Sequence, residues 1–499
     1  MALDDTTDAG KAKQAWLKSH DVGYHQALKP RQIQMIGIGG AIGTGLFLGA
    51  GARLQIAGPA LALVYGACGF FCFVILRALG ELVMYRPTAG SFVSYSREFL
   101  GEKASFVTGW MFFLNWAHAG IVDITAVALY MHYWASFSDV PQWIFAAIAL
   151  AFVGSMNMLA VKFFGEMEFW FSLIKVAALV IFLVVGTAIL AIGHPVAGAV
   201  PGLHMITENG GVFPHGIINA VIIIQGVVFA YAGIELVGTA AGEAENPRGV
   251  LPRAINNVIW RICLFYVGSV VLLVLLLPWT AYKAGTSPFV TFFGTLGVPG
   301  IGSVMNLVVL TAALSSLNSG LYSTGRVLRS LAMGGSAPQL VAKMNKGGVP
   351  YSGILVTLVI YAFGVLLNYL VPSKVFEIVL NISSVGVVST WAFIVVCQMK
   401  LRSAQNRGEI ARVPFRMPGG RPMAWLTLAF LLGVIVLMAM DYPVGTYTIL
   451  IGLPVLAVLL GIGWTVLKGS HPFAPAAPSY VFTEIAEERA AKTDGSSND

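Results

Sequence analysis

The sequence predicts an all-α polytopic membrane protein with twelve transmembrane helices. Three observations carry this. Hydrophobic residues fill 57% of the 499 positions and charged residues only 11%; apolar runs of membrane-crossing length recur along the chain; and the basic residues gather on one side of those runs. A soluble domain carries about 25% charged residues, so a water-soluble enzyme is excluded. A spanning helix needs about 20 mostly apolar residues. Such runs lie near 33–53, 59–84, 105–131, 142–161, 168–192, 216–241, 256–278, 300–331, 352–371, 374–398, 424–440 and 446–467.

The connections follow from the same reading. With both termini cytoplasmic, all but three of the 30 Lys and Arg fall in inner loops, tails or inner helix ends, the exceptions being Arg53, Lys283 and Lys374. This is the positive-inside pattern. It assigns the net charge of +7 to topology and anionic headgroups rather than to nucleic acid. The largest basic cluster, Lys400, Arg402, Arg407, Arg412, Arg416 and Arg421, marks a Pro-containing linker over 401–422. The connection 193–215, rich in Gly, Pro and His, is the longest on the outer side. The tail 1–30, with Asp4, Asp5 and Asp8, lacks the basic start and short apolar core of a cleaved leader. The tail 469–499 is rich in Ala, Pro and acidic residues and reads as disordered. Cys68, Cys72, Cys263 and Cys397 lie inside apolar runs, where a thiol acts as a small hydrophobe.

Spans one and six depart from simple lipid-facing helices. The first holds Gly37, Gly39, Gly40, Gly43, Gly45 and Gly49, at about 1 kcal/mol of lost helix preference per glycine. The sixth carries Phe229, Ala230, Tyr231, Ala232, Gly233, Ile234 and Glu235, small residues followed by a carboxylate at mid-membrane depth. They stand five spans apart, an odd number, so the two halves enter the membrane in opposite senses. Paired interruptions in inverted halves point to a transporter's binding site. Close helix packing through small residues explains the glycines equally well.

Further stretches connect these features to a family. Met35-Ile-Gly-Ile-Gly-Gly-Ala-Ile-Gly-Thr-Gly-Leu-Phe47 resembles the first-helix signature of the amino acid permeases of the amino acid–polyamine–organocation superfamily. Arg77-Ala-Leu-Gly-Glu-Leu82, Arg86-Pro-Thr-Ala-Gly-Ser-Phe92, Gly165-Glu-Met-Glu-Phe-Trp170, Gly242-Glu-Ala-Glu-Asn-Pro247 and Ser315-Ser-Leu-Asn-Ser-Gly-Leu-Tyr322 agree with it. The resemblance covers about residues 22–467, and Gly120 to Trp134 is most similar to the bacterial L-asparagine permeases. It implies a LeuT-like 5+5 inverted repeat with discontinuous helices 1 and 6. The segments are a tail (1–30), a first repeat (31–195), a second inverted repeat (196–400), the linker with helices 11 and 12 (401–468), and a second tail (469–499). The implied function is proton symport of an amino acid by alternating access at the bacterial inner membrane. Asparagine is the first choice of substrate, and another small neutral amino acid, an exchanger or a non-transporting sensor are the alternatives.

A zwitterion crossing hydrocarbon must have both charges compensated. The half-helix after the first break exposes backbone N–H groups bearing about half a positive charge, and Gly43, Thr44 and Gly45 admit a carboxylate there. Resemblance to the superfamily places the α-ammonium on carbonyls of Ala41, Phe229 and Ala232. Phe229 is read as a gate or as a core aromatic. Ionisable residues in mid-span are expensive, at about 2.5–3.5 kcal/mol for Arg, Lys or Asp, which singles out Asp123, Lys175 and Glu235. The resemblance gives Lys175 the place that sodium takes in sodium-coupled relatives, and with it proton coupling; a fixed structural charge is the alternative. Glu235 is a proton carrier or a hydrogen-bonding post that braces the break. Asp123 can accept hydrogen bonds from a carboxamide, or hold its helix in place. Asn115, Ser315, Asn318, Ser319, Asn381 and Ser383 can complete amide recognition or join helices. Glu81 and Glu243 are read as inner-gate or loop-bracing partners of Arg77, Arg86, Arg248 and Arg253. His118 and His132 receive no role. No His pair at metal spacing and no Ser, His and Asp arrangement is present, so neither metal nor cofactor is expected and the chain is not read as an enzyme. The expected partners are the amino acid, the proton and the lipid bilayer.

Overall fold

The computed structural model describes Gln32, Met35 and residues 42–88, 90–159, 161–236, 238, 247–345 and 348–470. The expectations at Gly37, Gly39, Gly40, Ala41 and Glu243, and for residues 1–30 and 471–499, lie outside the described residues. Among those described the fold is helical, with an isolated bridge between Val196 and Ala199 and no strand. Nine stretches among them are long and apolar enough to cross a membrane, joined by the shorter apolar helices Gln142–Asn157 and Ile217–Ala230.

The helices used below are α1 (Thr44–Phe47), α2 (Gly49–Ala57), α3 (Leu61–Tyr85), α4 (Ser91–Leu100), α5 (Glu102–Met131), α6 (Gln142–Asn157), α7 (Val161–Ile192) and α8 (Ile224–Ala230). After them come α9 (Pro247–Arg261), α10 (Ile301–Met333), α11 (Tyr351–Leu370), α12 (Val375–Asn406), α13 (Gly420–Met440) and α14 (Leu453–Ser470). Gly58, at φ +57°, separates α2 from α3, a backbone that a side chain would strain. A π-helical stretch, Ile262–Gly268, continues α9.

Helix α5 lies at the centre, packed against α10 and α12. The last membrane-length stretch, Val444–Leu467, buries none of its apolar window and is peripheral. Leu63, Val184, Val359, Leu432, Leu450 and Val458 all point outward. Leaving such side chains in water forfeits about 1.5–3 kcal/mol each, so a lipid surround is the environment that fits this surface.

Two connections carry more structure than the sequence indicates. Helix α4 occupies the segment after the second span, and Ser91 through Arg97 are all buried. The linker expected from residue 401 begins later, because α12 runs on to Asn406. Lys, Leu, Arg, Ala and Gln at this end favour helix, and Arg402 is anchored there by Glu81.

Candidate functional site

The site is built where α1 begins and α8 ends. Ile42 and Gly43 form a bend, Gly43 being extended at φ −132°, and helix starts at Thr44 with no side-chain cap. A helix start leaves its first N–H groups without intrahelical acceptors. Helix α8 ends at Ala230, and residues 231–235 form successive turns before helical Leu236. Gly233 adopts φ +97°, a conformation glycine takes without strain.

The two interruptions lie against each other. A β-carbon on Gly45 would stand 2.5 Å from Ala230 Cα and 3.0 Å from its nitrogen. Gly45 is therefore small because span six crosses it, which is the packing explanation. At Gly43 an added β-carbon would meet the Ser316 hydroxyl at 3.4 Å, an ordinary contact.

Asp123 comes to this junction from the middle of α5. Thr44 Oγ1 donates to its Oδ1 at 2.9 Å, the carboxylate is buried, and Oδ2 makes no hydrogen bond although the Ser316 hydroxyl faces it. Phe229 is buried in the last turn of α8, and its carbonyl accepts the Ala232 N–H at 2.9 Å. A carbonyl oxygen has a second lone pair, so Phe229 retains acceptor capacity.

Around the span-six break, side chains satisfy the backbone. Glu235 accepts the Gly233 N–H at 3.2 and 3.3 Å on its two oxygens, and Trp391 Nε1 donates to Oε2 at 3.2 Å. Tyr231 donates to the Tyr65 carbonyl at 2.8 Å, and Tyr266, on the π-helical stretch, donates to the Ala230 carbonyl at 3.2 Å. Tyr231 and Tyr266 stack with centroids 4.5 Å apart.

Lys175 is fully buried on α7. Its Nζ donates to Ser315 Oγ at 2.9 Å, and that hydroxyl donates in turn to Glu168 Oε1 at 2.7 Å. Ser315 is thus committed to an ion pair. Glu168 was not singled out from the sequence, although it stands in the quoted Gly165–Trp170 motif seven residues before Lys175, a same-face helical spacing. The amide-bearing residues are largely paired among themselves: Asn115 Oδ1 accepts from Ser383 at 2.8 Å, Asn318 Oδ1 from Asn157 at 2.8 Å, and Asn381 donates to the Glu377 carbonyl. Ser319 Oγ is buried without a hydrogen-bond partner. His118 and His132 bond the Leu114 and Val140 carbonyls.

Around Glu81 the ion pairs differ from those expected. Glu81 is held by Arg402, whose Nε lies 2.9 Å from Oε1, with Gln398 Nε2 and the Met417 N–H also donating. Arg77 instead reaches the Arg416 carbonyl and Asn256, and Arg86 pairs with Glu98 at 2.6 Å. Neighbours in sequence are not the partners, because packing of α3 against α12 brings Arg402 to Glu81.

The amino acid permease family model matches residues 32–470. The chain belongs to the amino acid permease family. It is 68% identical over 460 residues to an L-asparagine permease of Escherichia coli (strain K12), covering 92% of each chain. Against an L-asparagine permease of Salmonella typhimurium the identity is 66% over 484 residues, covering 96% of this chain and 97% of that protein. An L-asparagine permease of Streptomyces coelicolor is 57% identical over 444 residues, or 89% and 91% of the two chains. The permease is accordingly a multi-pass membrane protein and not an enzyme.

Proposed function

We propose that this permease imports L-asparagine by proton symport and alternating access, in a bacterial inner membrane with both termini cytoplasmic. The reading includes twelve spans in a LeuT-like 5+5 inverted arrangement. The abutment of the two interruptions at Gly45 and Ala230, beside a buried carboxylate with a free oxygen, is the observation that carries it. The names of the three relatives support asparagine as the substrate.

In this reading the α-carboxylate docks on the backbone at Gly43 and Thr44, with Gly45 serving the close approach of span six. The α-ammonium lies toward the Phe229 and Ala232 carbonyls and Ala41. Asp123 Oδ2 accepts from the substrate carboxamide and repels an aspartate side chain. Phe229 closes over the substrate. Lys175 carries the coupling proton, since a buried ammonium next to a hydroxyl and a carboxylate has both a reason and a route to lose it. The contacts of Glu235 favour bracing over proton carriage. Glu81, through Arg402, and Glu243 secure the inner end.

The test is uptake of labelled asparagine into proteoliposomes under an inward proton gradient, with each common amino acid as competitor. Asparagine accumulation, stronger competition by neutral amides than by aspartate, and loss of gradient-driven accumulation in Lys175→Met are expected. Binding without uptake would make the protein a sensor. Full accumulation by Lys175→Met would remove the coupling role.

A further inference from the structure

Glu168 has no part in the scheme above, yet it is the most heavily bonded buried carboxylate of α7. It is fully buried and accepts from Ser315 at 2.7 Å, Ser172 at 3.1 Å and Asn318 at 3.5 Å. Asn157 fixes Asn318 from the opposite side. Lys175 Nζ lies 3.9 Å from Glu168 Oε1 directly, and Ser315 Oγ bridges the same two groups by two shorter hydrogen bonds. The charged groups facing Lys175 are Glu168 on its own helix, Asp123 on α5 and Arg261 at the end of α9. From α10, Ser315 and Asn318 face the pair, and α6 contributes Asn157. Glu166, two residues away, is turned instead to Gln32.

We propose that Glu168 is the proton acceptor for Lys175, reached through the Ser315 hydroxyl, and the next proton station toward the cytoplasm. The proposal rests on the symport reading. The transfer is balanced. Lys175 passes one proton to Ser315 Oγ as the Ser315 proton moves to Glu168 Oε1, so one N–H and one O–H bond break while two O–H bonds form. An ammonium and a carboxylate become an amine and a carboxylic acid. Net charge within the low-dielectric site is unchanged, which avoids the cost of leaving one ion unpaired there.

Position along the helix gives the direction. Seven residues of α-helix correspond to about 10 Å of rise, and in the proposed orientation Glu168 is the cytoplasmic member of the pair. One turn further the Phe164 ring stacks on Tyr322, with centroids 3.7 Å apart and the Arg326 guanidinium over the same tyrosine. This stack covers Glu168 on its cytoplasmic side, so parting of α7 from α10 would release the proton only when the inner end opens.

The experiment separates exchange from coupling in proteoliposomes. Glu168→Gln keeps a hydrogen-bonding group but takes no proton. Counterflow at equal pH is expected within about threefold of wild type, while gradient-driven accumulation falls at least about tenfold and its pH profile flattens; Glu168→Asp recovers both. Infrared difference spectra of the wild type between acid and alkaline pH should contain a buried protonated-carboxyl band absent from Glu168→Gln. If Glu168→Gln fails to fold because Lys175 is left unpaired, Glu168→Asp and the wild-type infrared spectra decide: absence of any buried protonated-carboxyl band between acid and alkaline pH overturns the relay. Wild-type accumulation and pH profile in Glu168→Gln would overturn the relay, as would parallel loss of counterflow and accumulation in both variants. A wild type that accumulates nothing under the gradient overturns the symport reading itself, a distinguishable result.

Discussion

The two helix interruptions are held in contrasting ways. At span six, three other helical segments brace the break: the Tyr65 carbonyl accepts the Tyr231 hydroxyl, the Tyr266 hydroxyl donates to the Ala230 carbonyl, and Trp391 Nε1 donates to the Glu235 carboxylate. At span one, in the described part from Ile42 onward, the holding contacts are the Thr44–Asp123 hydrogen bond and the contact of Gly45 with Ala230. A buried unpaired polar group costs about 1–3 kcal/mol, so these contacts make the span-six break the more firmly braced of the two. Span one presents a helix start, and beside it the Asp123 carboxylate of α5 keeps one oxygen without a hydrogen bond. The lesson is that two similar gaps in helix can differ in support, one braced by side chains of several helices and one by a single hydrogen bond and a close backbone contact.

Three substitutions probe this contrast. Glu235→Ala should have the largest effect, because it strips the Gly233 and Trp391 N–H groups of their acceptor at once, each worth about 1–3 kcal/mol. Thermal unfolding of the detergent-purified protein should fall sharply and uptake should vanish; unchanged stability would make Glu235 a functional group rather than a brace. Gly45→Val comes next. The added carbons meet Ala230 backbone, which cannot swing aside as a side chain would, and overpacking of this kind costs about 1–3 kcal/mol. Asparagine affinity should fall along with stability, and an undisturbed variant would mean that the helices do not cross there. Thr44→Val is the mildest. With backbone donors holding the carboxylate, affinity measured by scintillation proximity should change by less than about tenfold, equivalent to 1.4 kcal/mol; a larger loss would shift recognition to the Thr44 hydroxyl.

Two further polar clusters differ in the same way. Just after α13, Asp441 accepts from Gln225 at 2.9 Å, and burial, aided by Glu377 and opposed by Arg53, raises its carboxyl above its usual range. Around Glu81, the carboxylate accepts from Arg402, Gln398 and the Met417 N–H, so both of its oxygens are bonded.

Much of this was readable along the chain. The glycine run before Leu46 and the Phe229–Glu235 stretch mark both interruptions, because local composition controls whether helix continues. Asp123 and Lys175 stand out because a charge amid apolar residues is costly wherever it faces. Glu168 did not stand out. It lies near the start of its apolar run, where a carboxylate is cheap, and its importance comes from Ser315, 147 positions away. Sequence places Glu81 beside Arg77 and Arg86, whereas its partner in the fold, Arg402, is 321 residues distant.

Hydropathy, glycine placement and the asymmetry of basic residues made this chain a helical membrane protein with two weakened spans, for these depend on each segment's own exchange between water, lipid and helix. Which atoms meet was decided by packing. Gly45 serves Ala230, Ser315 links Lys175 to Glu168, and Arg402 closes on Glu81 only because neighbouring helices settle at particular rotations and depths. A hydrogen bond tolerates errors of a few tenths of an ångström, and no periodicity in one segment specifies its register against another to that precision.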